Sequence, residues 1–104
     1  MAKFRSKVQS LEFNLTPKFL IELWESQEGL CAISGRKFDL QRPEKIETVK
    51  ANAPSLDRID SNKGYLKGNV RFVCYQVNTA LNAYGEQALL SLCKDILTYK
   101  GVVS

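Results

Sequence analysis

No histidine occurs anywhere in the chain. That absence removes histidine-based triads, histidine-ligated zinc and the commonest general base together. Any catalysis here has to run on carboxylates, amides, hydroxyls, thiols or cationic side chains. Cysteine is scarce: there are three, Cys31, Cys74 and Cys93, far apart and without a C-x-x-C pair. An odd, dispersed set does not make a disulfide framework and fits a reducing compartment. No apolar run approaches the roughly 18 residues of a membrane span, and the opening MAKFRSKVQS lacks the apolar centre of a secretory signal. The expectation is a soluble, cytoplasmic protein with no membrane partner.

What is present is the composition of a folding chain. With 104 residues, 44 % hydrophobic and 25 % charged, the sequence fits a single domain over 1–104 built on one core. The net charge of +4 suits a nucleic-acid partner without requiring one. Its distribution says more. Lys3, Arg5 and Lys7 form a basic arm over 1–10 with no acid; the stretch 12–30 is acidic; and Arg58, Lys63, Lys67 and Arg71 then outnumber Asp57 and Asp60.

Thr16 and Pro17 supply a helix start, a side-chain cap followed by a residue with no N–H to lose. Phe19, Leu20, Leu23 and Trp24 recur at helical spacing up to Gly29, the natural stop. Short strands are expected at Leu30–Ile33 and Lys37–Leu40 around Ser34-Gly35-Arg36, with an irregular segment from Gln41 to Asn52. Pro54–Asp60 reads as a strand, Ser61-Asn62-Lys63-Gly64 as a turn and Val70–Val73 as a second strand. A helix then carries Val77, Leu81 and Tyr84. A last helix over Gln87–Lys100 places Ala88, Leu89, Leu92, Cys93, Ile96 and Leu97 on one side, as a core stripe with Cys93 buried. The order describes an α+β domain built on a β-hairpin followed by a helix, flanked by an N-terminal and a C-terminal helix.

Chemistry concentrates between Ser55 and Asn78, where hard oxygen donors, cationic side chains and glycines fall on strand, turn, strand and helix. A carboxylate and an amide oxygen suit Mg²⁺, which takes oxygen ligands and retains waters. Such residues are also ordinary turn formers. The run Trp24-x-x-Gln27-x-Gly29-x-Cys31-x-x-Ser34-Gly35, then Ser55-Leu56-Asp57-Arg58-Ile59-Asp60, Gly64-Tyr65, Gly68-Asn69-Val70, Val73-Cys74 and Asn78, resembles the HNH endonucleases of the His-Me finger (ββα-metal) superfamily, particularly the small forms of bacteriophages. The resemblance covers about Thr16 to Asn82 and rests on the ordered set of motifs.

The resemblance implies a ββα-metal unit over 55–82 that hydrolyses DNA phosphodiester bonds with Mg²⁺ or Mn²⁺, in a phage-encoded protein, monomeric or homodimeric. Asp57 and Asn78 match the metal ligands, and Asn69 the central asparagine that supports the loop. Arg58 stands where the family carries its general-base histidine, and a guanidinium cannot accept a proton from water. Asp60, Tyr65 or a hydroxide on the cation remain as candidates for the base, Asp60 being the simplest, while Arg58 suits a scissile phosphate. The same substitution supports a rival, a catalytically degenerate module that binds nucleic acid or serves assembly. Lys63, Lys67, Arg71 and the arm residues Lys3, Arg5 and Lys7 are the candidate phosphate contacts. Tyr65 is a candidate either to stack on bases or to pack, and Tyr75 is expected to pack. Relatives often carry a structural zinc on two cysteine pairs; here the matching positions read Cys31-x-x-Ser34 and Cys74-x-x-Val77, which argues against zinc.

Overall fold

The computed structural model describes residues 12–42, 45, 49–82 and 84–102. The first helix, α1 (Pro17–Ser26), starts where its capping chemistry requires: Thr16 Oγ1 accepts the Phe19 N–H at 3.1 Å. It ends in a turn where Glu28 and Gly29 take positive φ, 56° and 73°, the second at a residue with no Cβ to resist it. The two short strands expected around Ser34-Gly35 reduce to one antiparallel bridge between Leu30 and Lys37.

Two strands follow, β1 (Pro54–Arg58) and β2 (Val70–Cys74), paired antiparallel with Leu56 opposite Phe72 and Asp57 opposite Arg71. Alternation puts Ser55, Asp57, Arg71 and Val73 on one face and Leu56, Val70 and Phe72 on the other. The backbone groups of Phe72 point away from β1, as every second pair in an antiparallel ladder requires. The Gln27 side chain meets them. Phe72 N–H donates to Gln27 Oε1 at 2.9 Å, and the Phe72 carbonyl accepts from Gln27 Nε2 at 2.9 Å and from the Ala32 N–H at 3.0 Å. One carboxamide thus ties the end of α1 to β2.

The core lies beneath this contact. Cys31, Phe38, Val73 and Cys74 are buried together, with Trp24, Ile33, Phe72 and Val77 packed against them. Trp24 stacks on Phe38 at 5.1 Å and meets Phe72 edge-on at 5.4 Å, so the apolar side of α1 covers the hairpin as its spacing implied.

Helix α2 (Tyr75–Leu81) follows β2 without a loop, and α3 (Gly85–Tyr99) follows α2. Together the described residues form a small α+β protein of three helices and a two-stranded antiparallel sheet. The core stripe expected on the last helix is corrected here: α3 contains no buried residue, Leu92 and Ile96 are 56 % and 50 % exposed, and Cys93 is exposed. Among the described helices and strands, the α3 backbone comes close only to α2, and the Glu86 side chain reaches Arg71 on β2. At about 1.5 Å per residue, the 7-residue α2 cannot back the whole length of the 15-residue α3. No described helix is long and apolar enough to cross a membrane.

Candidate functional site

The face of the hairpin carrying Ser55 and Asp57 is covered by α2. Asn78 Nδ2 donates to Ser55 Oγ at 2.6 Å, fixing the helix over the strand. At the end of β1 a cavity of about 330 Å³ opens, lined by Asp57, Arg58, Ser61, Tyr65, Tyr75 and Asn78 among others. Asp57 and Asn78, the proposed ligand pair, therefore line one cavity.

Asp57 is held from one side. Arg71, directly opposite on β2, donates from Nε to Asp57 Oδ2 at 2.9 Å and from Nη1 to Glu86 Oε1 at 2.9 Å. Burial works against the guanidinium's charge, but the two carboxylates outweigh it and raise its pKa above the ordinary arginine value. Among the described residues no hydrogen bond engages Asp57 Oδ1 or Asn78 Oδ1. Two residues lining the cavity thus carry hard oxygen donors, one carboxylate and one carboxamide, and the cavity has room for water. That donor set fits Mg²⁺ or Mn²⁺ in a site completed by waters and a phosphate. It is sparse: no group of three or more His, Cys, Asp or Glu residues gathers among the described residues.

Arg58 is anchored at the cavity wall. Its Nη1 donates to the carbonyls of Ser61 at 3.2 Å and Lys63 at 3.1 Å, and its guanidinium lies 5.2 Å from the Tyr65 ring centre. These contacts leave Nε and Nη2 without a hydrogen-bond partner among the described residues. Tyr75, expected to pack, is instead 43 % exposed and lines the cavity, because it sits at the first position of α2, beyond the covered part of β2.

The loop between the strands is organised by Asn69, which is buried. Its Oδ1 accepts the Asp60 N–H at 2.9 Å, and its Nδ2 donates to the carbonyls of Asp60 at 3.2 Å and Gly64 at 2.8 Å. Gly64 passes so close under the Glu12 backbone that a Cβ there would overlap it. Asp60 does not serve as expected: its carboxylate accepts the Asn62 N–H at 2.9 Å and does not line the cavity. The strand ends at Arg58, so alternation no longer directs the Asp60 side chain, and turn chemistry captures it.

The phosphate-contact candidates separate. Lys63 is exposed beside the loop. Lys67 points toward α1, its Nζ 5.9 Å from the Phe19 ring centre. Arg71 is committed to the carboxylates and only 17 % exposed. Lys3, Arg5 and Lys7 lie outside the described residues.

Two of the thiols, Cys31 and Cys74, converge in the core. Cys31 Sγ accepts the Ser34 and Cys74 N–H groups, each at 3.3 Å, and Ser34 Oγ lies 3.9 Å from Cys74 Sγ. Burial pushes the Cys31 thiol up, but the hydrogen bonds from Ser34 and the backbone outweigh it and bring its pKa down to about 7. Burial raises Cys74, and the neighbouring Cys31 adds to that while Ser34 opposes it.

Glu86 was not singled out from the sequence. The available signal was an acid in the first turn of the last helix together with an arginine opposite Asp57.

No family model matches the chain, and no solved structure matches it. Among curated proteins it is similar to one described as an uncharacterized 29.0 kDa protein of the dda-modA intergenic region in Enterobacteria phage T4, at 38 % identity over 89 residues. The match takes in 86 % of this chain and 31 % of that protein, so the chain spans about a third of its relative's length.

Proposed function

We propose that this protein is a divalent-metal-dependent endonuclease of the HNH, ββα-metal type, phage-encoded, hydrolysing phosphodiester bonds in DNA in the bacterial cytoplasm. The observation that carries the reading is the shared cavity of Asp57 and Asn78, each with an oxygen that no described residue hydrogen-bonds, at the junction of two strands and a helix. In this reading Asp57 and Asn78 hold Mg²⁺ or Mn²⁺. When bound, the cation neutralises charge on the phosphate as the bond to oxygen breaks. Asn69 keeps the loop in shape, so that Arg58 stays at the cavity wall with Nε and Nη2 available to a phosphate oxygen. Tyr65 and Tyr75 flank the opening where bases of an entering strand would stack. The T4 relative supports the phage origin.

The test is plasmid nicking with Mg²⁺, with and without a chelator, by wild type and Asp57→Ala. Metal-dependent nicking lost in Asp57→Ala is the expected result; equal nicking by both proteins removes the metal assignment.

A second reading, a degenerate module that binds nucleic acid without cutting it, is favoured by one observation. Among the described residues Asp57 is the only carboxylate lining this cavity, and Arg58 holds the position of the base. Arg58→His distinguishes the two. A gain in nicking means a base is missing from this site, whereas DNA binding that is equal in chelator and in Mg²⁺, with no nicking by either protein, supports the module.

A further inference from the structure

Glu86 belongs to α3, outside the hairpin and helix that build the cavity, yet it reaches into the site through one side chain. Its Oε1 lies 2.9 Å from Arg71 Nη1, while Arg71 Nε lies 2.9 Å from Asp57 Oδ2. Arg71 faces Asp57 across the hairpin, where a planar guanidinium is free to fork onto both oxygens of a single carboxylate. With Nη1 held on Glu86, the guanidinium is oriented so that it meets Asp57 through Nε alone, and the side-on fork through Nε and Nη2 is not made. Among the described residues Asp57 then receives one hydrogen bond, on Oδ2, and none on Oδ1. Asp57, Arg71 and Glu86 also line a small cleft of about 60 Å³ next to the main cavity. The Asp57 and Arg71 side chains are only 12 % and 17 % exposed, so water screens their attraction weakly, while Glu86 is 39 % exposed and reaches Arg71 from the solvent side.

We propose that Glu86 is a positioning residue: by drawing Arg71 to one side, it keeps Asp57 Oδ1 available to a divalent cation and ties the placement of α3 to the site. The inference rests on the reading of Asp57 as a cation ligand.

The test is Mn²⁺ binding to the full chain, without DNA and at fixed ionic strength, measured by calorimetric titration. The proteins compared are wild type, Asp57→Ala, Glu86→Gln, Arg71→Met and the Glu86→Gln/Arg71→Met double variant, each with its thermal midpoint. Loss of an outer partner of a ligand typically weakens metal binding about 10-fold or more, and that loss is expected for Glu86→Gln. Because Glu86 acts through Arg71, the loss disappears when Arg71 is already methionine, so the double variant binds like Arg71→Met. A Glu86→Gln effect of the same size in both backgrounds means that Glu86 acts by its charge alone, and overturns the proposal. So does the absence of any effect. If Arg71→Met does not fold, Glu86→Asp decides, since it keeps the charge and shortens the reach: weakening like Gln supports positioning, and wild-type binding overturns it. Wild-type protein with no Asp57-dependent Mn²⁺ binding is a different failure, one that removes the metal reading and the role of Glu86 with it.

Discussion

Replacing Asn69 by alanine removes three hydrogen bonds at once, to the Asp60 N–H, the Asp60 carbonyl and the Gly64 carbonyl. The three losses are unequal. The Asp60 carbonyl keeps the Lys63 N–H and the Gly64 carbonyl keeps the Leu66 N–H, both at 3.0 Å, so each loses about 0.5–1 kcal/mol. The Asp60 N–H has no second partner among the described residues and becomes an orphan donor, which costs about 1–3 kcal/mol. The sum is about 3 kcal/mol, a large part of the stability of a domain this size, and it corresponds to a fall in thermal midpoint of about 15 °C. Urea unfolding of Asn69→Ala reads the magnitude, and amide exchange reads the location, with Asp60 and Asn62 losing protection first. Asn69→Asp separates the two ends of the side chain. It keeps the acceptor for Asp60 but points an anion at two carbonyls in place of a donor. That variant should be unstable near neutral pH and recover in acid, where the protonated carboxyl donates again. A loss under 1 kcal/mol for Asn69→Ala, or an Asn69→Asp stability that does not change with pH, would refute the claim that this side chain organises the loop.

Three further outcomes are expected. Gln27→Leu should cost about 1–3 kcal/mol in urea unfolding, because the Phe72 N–H loses its partner, and amide exchange at Phe72 should accelerate. For Cys31, the folded pKa of about 7 lies below the ordinary thiol value of 9.0, so folding favours the thiolate. The stabilisation is complete above about pH 9 and is lost as pH falls through 7; urea midpoints at pH 6 and 9 should show the rise in wild type and lack it in Cys31→Ala. Leu92→Lys and Ile96→Lys on exposed α3 should each change stability by no more than about 0.5 kcal/mol, whereas Val73→Ala, at 0 % exposure, should cost about 2 kcal/mol by thermal unfolding.

Sequence reading succeeded where the governing interaction is local. Thr16 and Pro17 mark the start of α1 because a cap is made within one turn. The turn after β1 was legible for the same reason; the loop role of Asn69 came only from the resemblance, and its side-chain partners lie within nine residues. It failed where a periodic pattern needs something behind it. The apolar spacing of Leu89, Leu92 and Ile96 specifies a helix with one greasy side, but nothing in that spacing says whether another element covers it. The short strands near Ser34 failed differently: a tight turn with β-like flanks needs no more than one bridge. Gln27 and Glu86 were missed as structural actors because their contacts are made only when the chain folds back, Gln27 across 45 residues to Phe72 and Glu86 across 15 to Arg71. Asp60 was the simplest candidate for the base once Arg58 stood in the histidine position; elimination of that kind carries no geometry, and with the strand ending at Arg58 its carboxylate accepts the Asn62 N–H in the turn.

The Gln27 carboxamide has a consequence beyond holding α1. A hairpin is all edge, and an unpaired strand offers its N–H and C=O groups to any extended peptide that drifts alongside. By placing an amide of its own against Phe72, the protein presents a counterfeit neighbour that satisfies both groups yet cannot propagate, since a side chain has no next residue to pair. Cross-molecular sheet growth is therefore opposed on that flank, where the Ala32 N–H also caps the Phe72 carbonyl and Gln27 alone holds the Phe72 N–H.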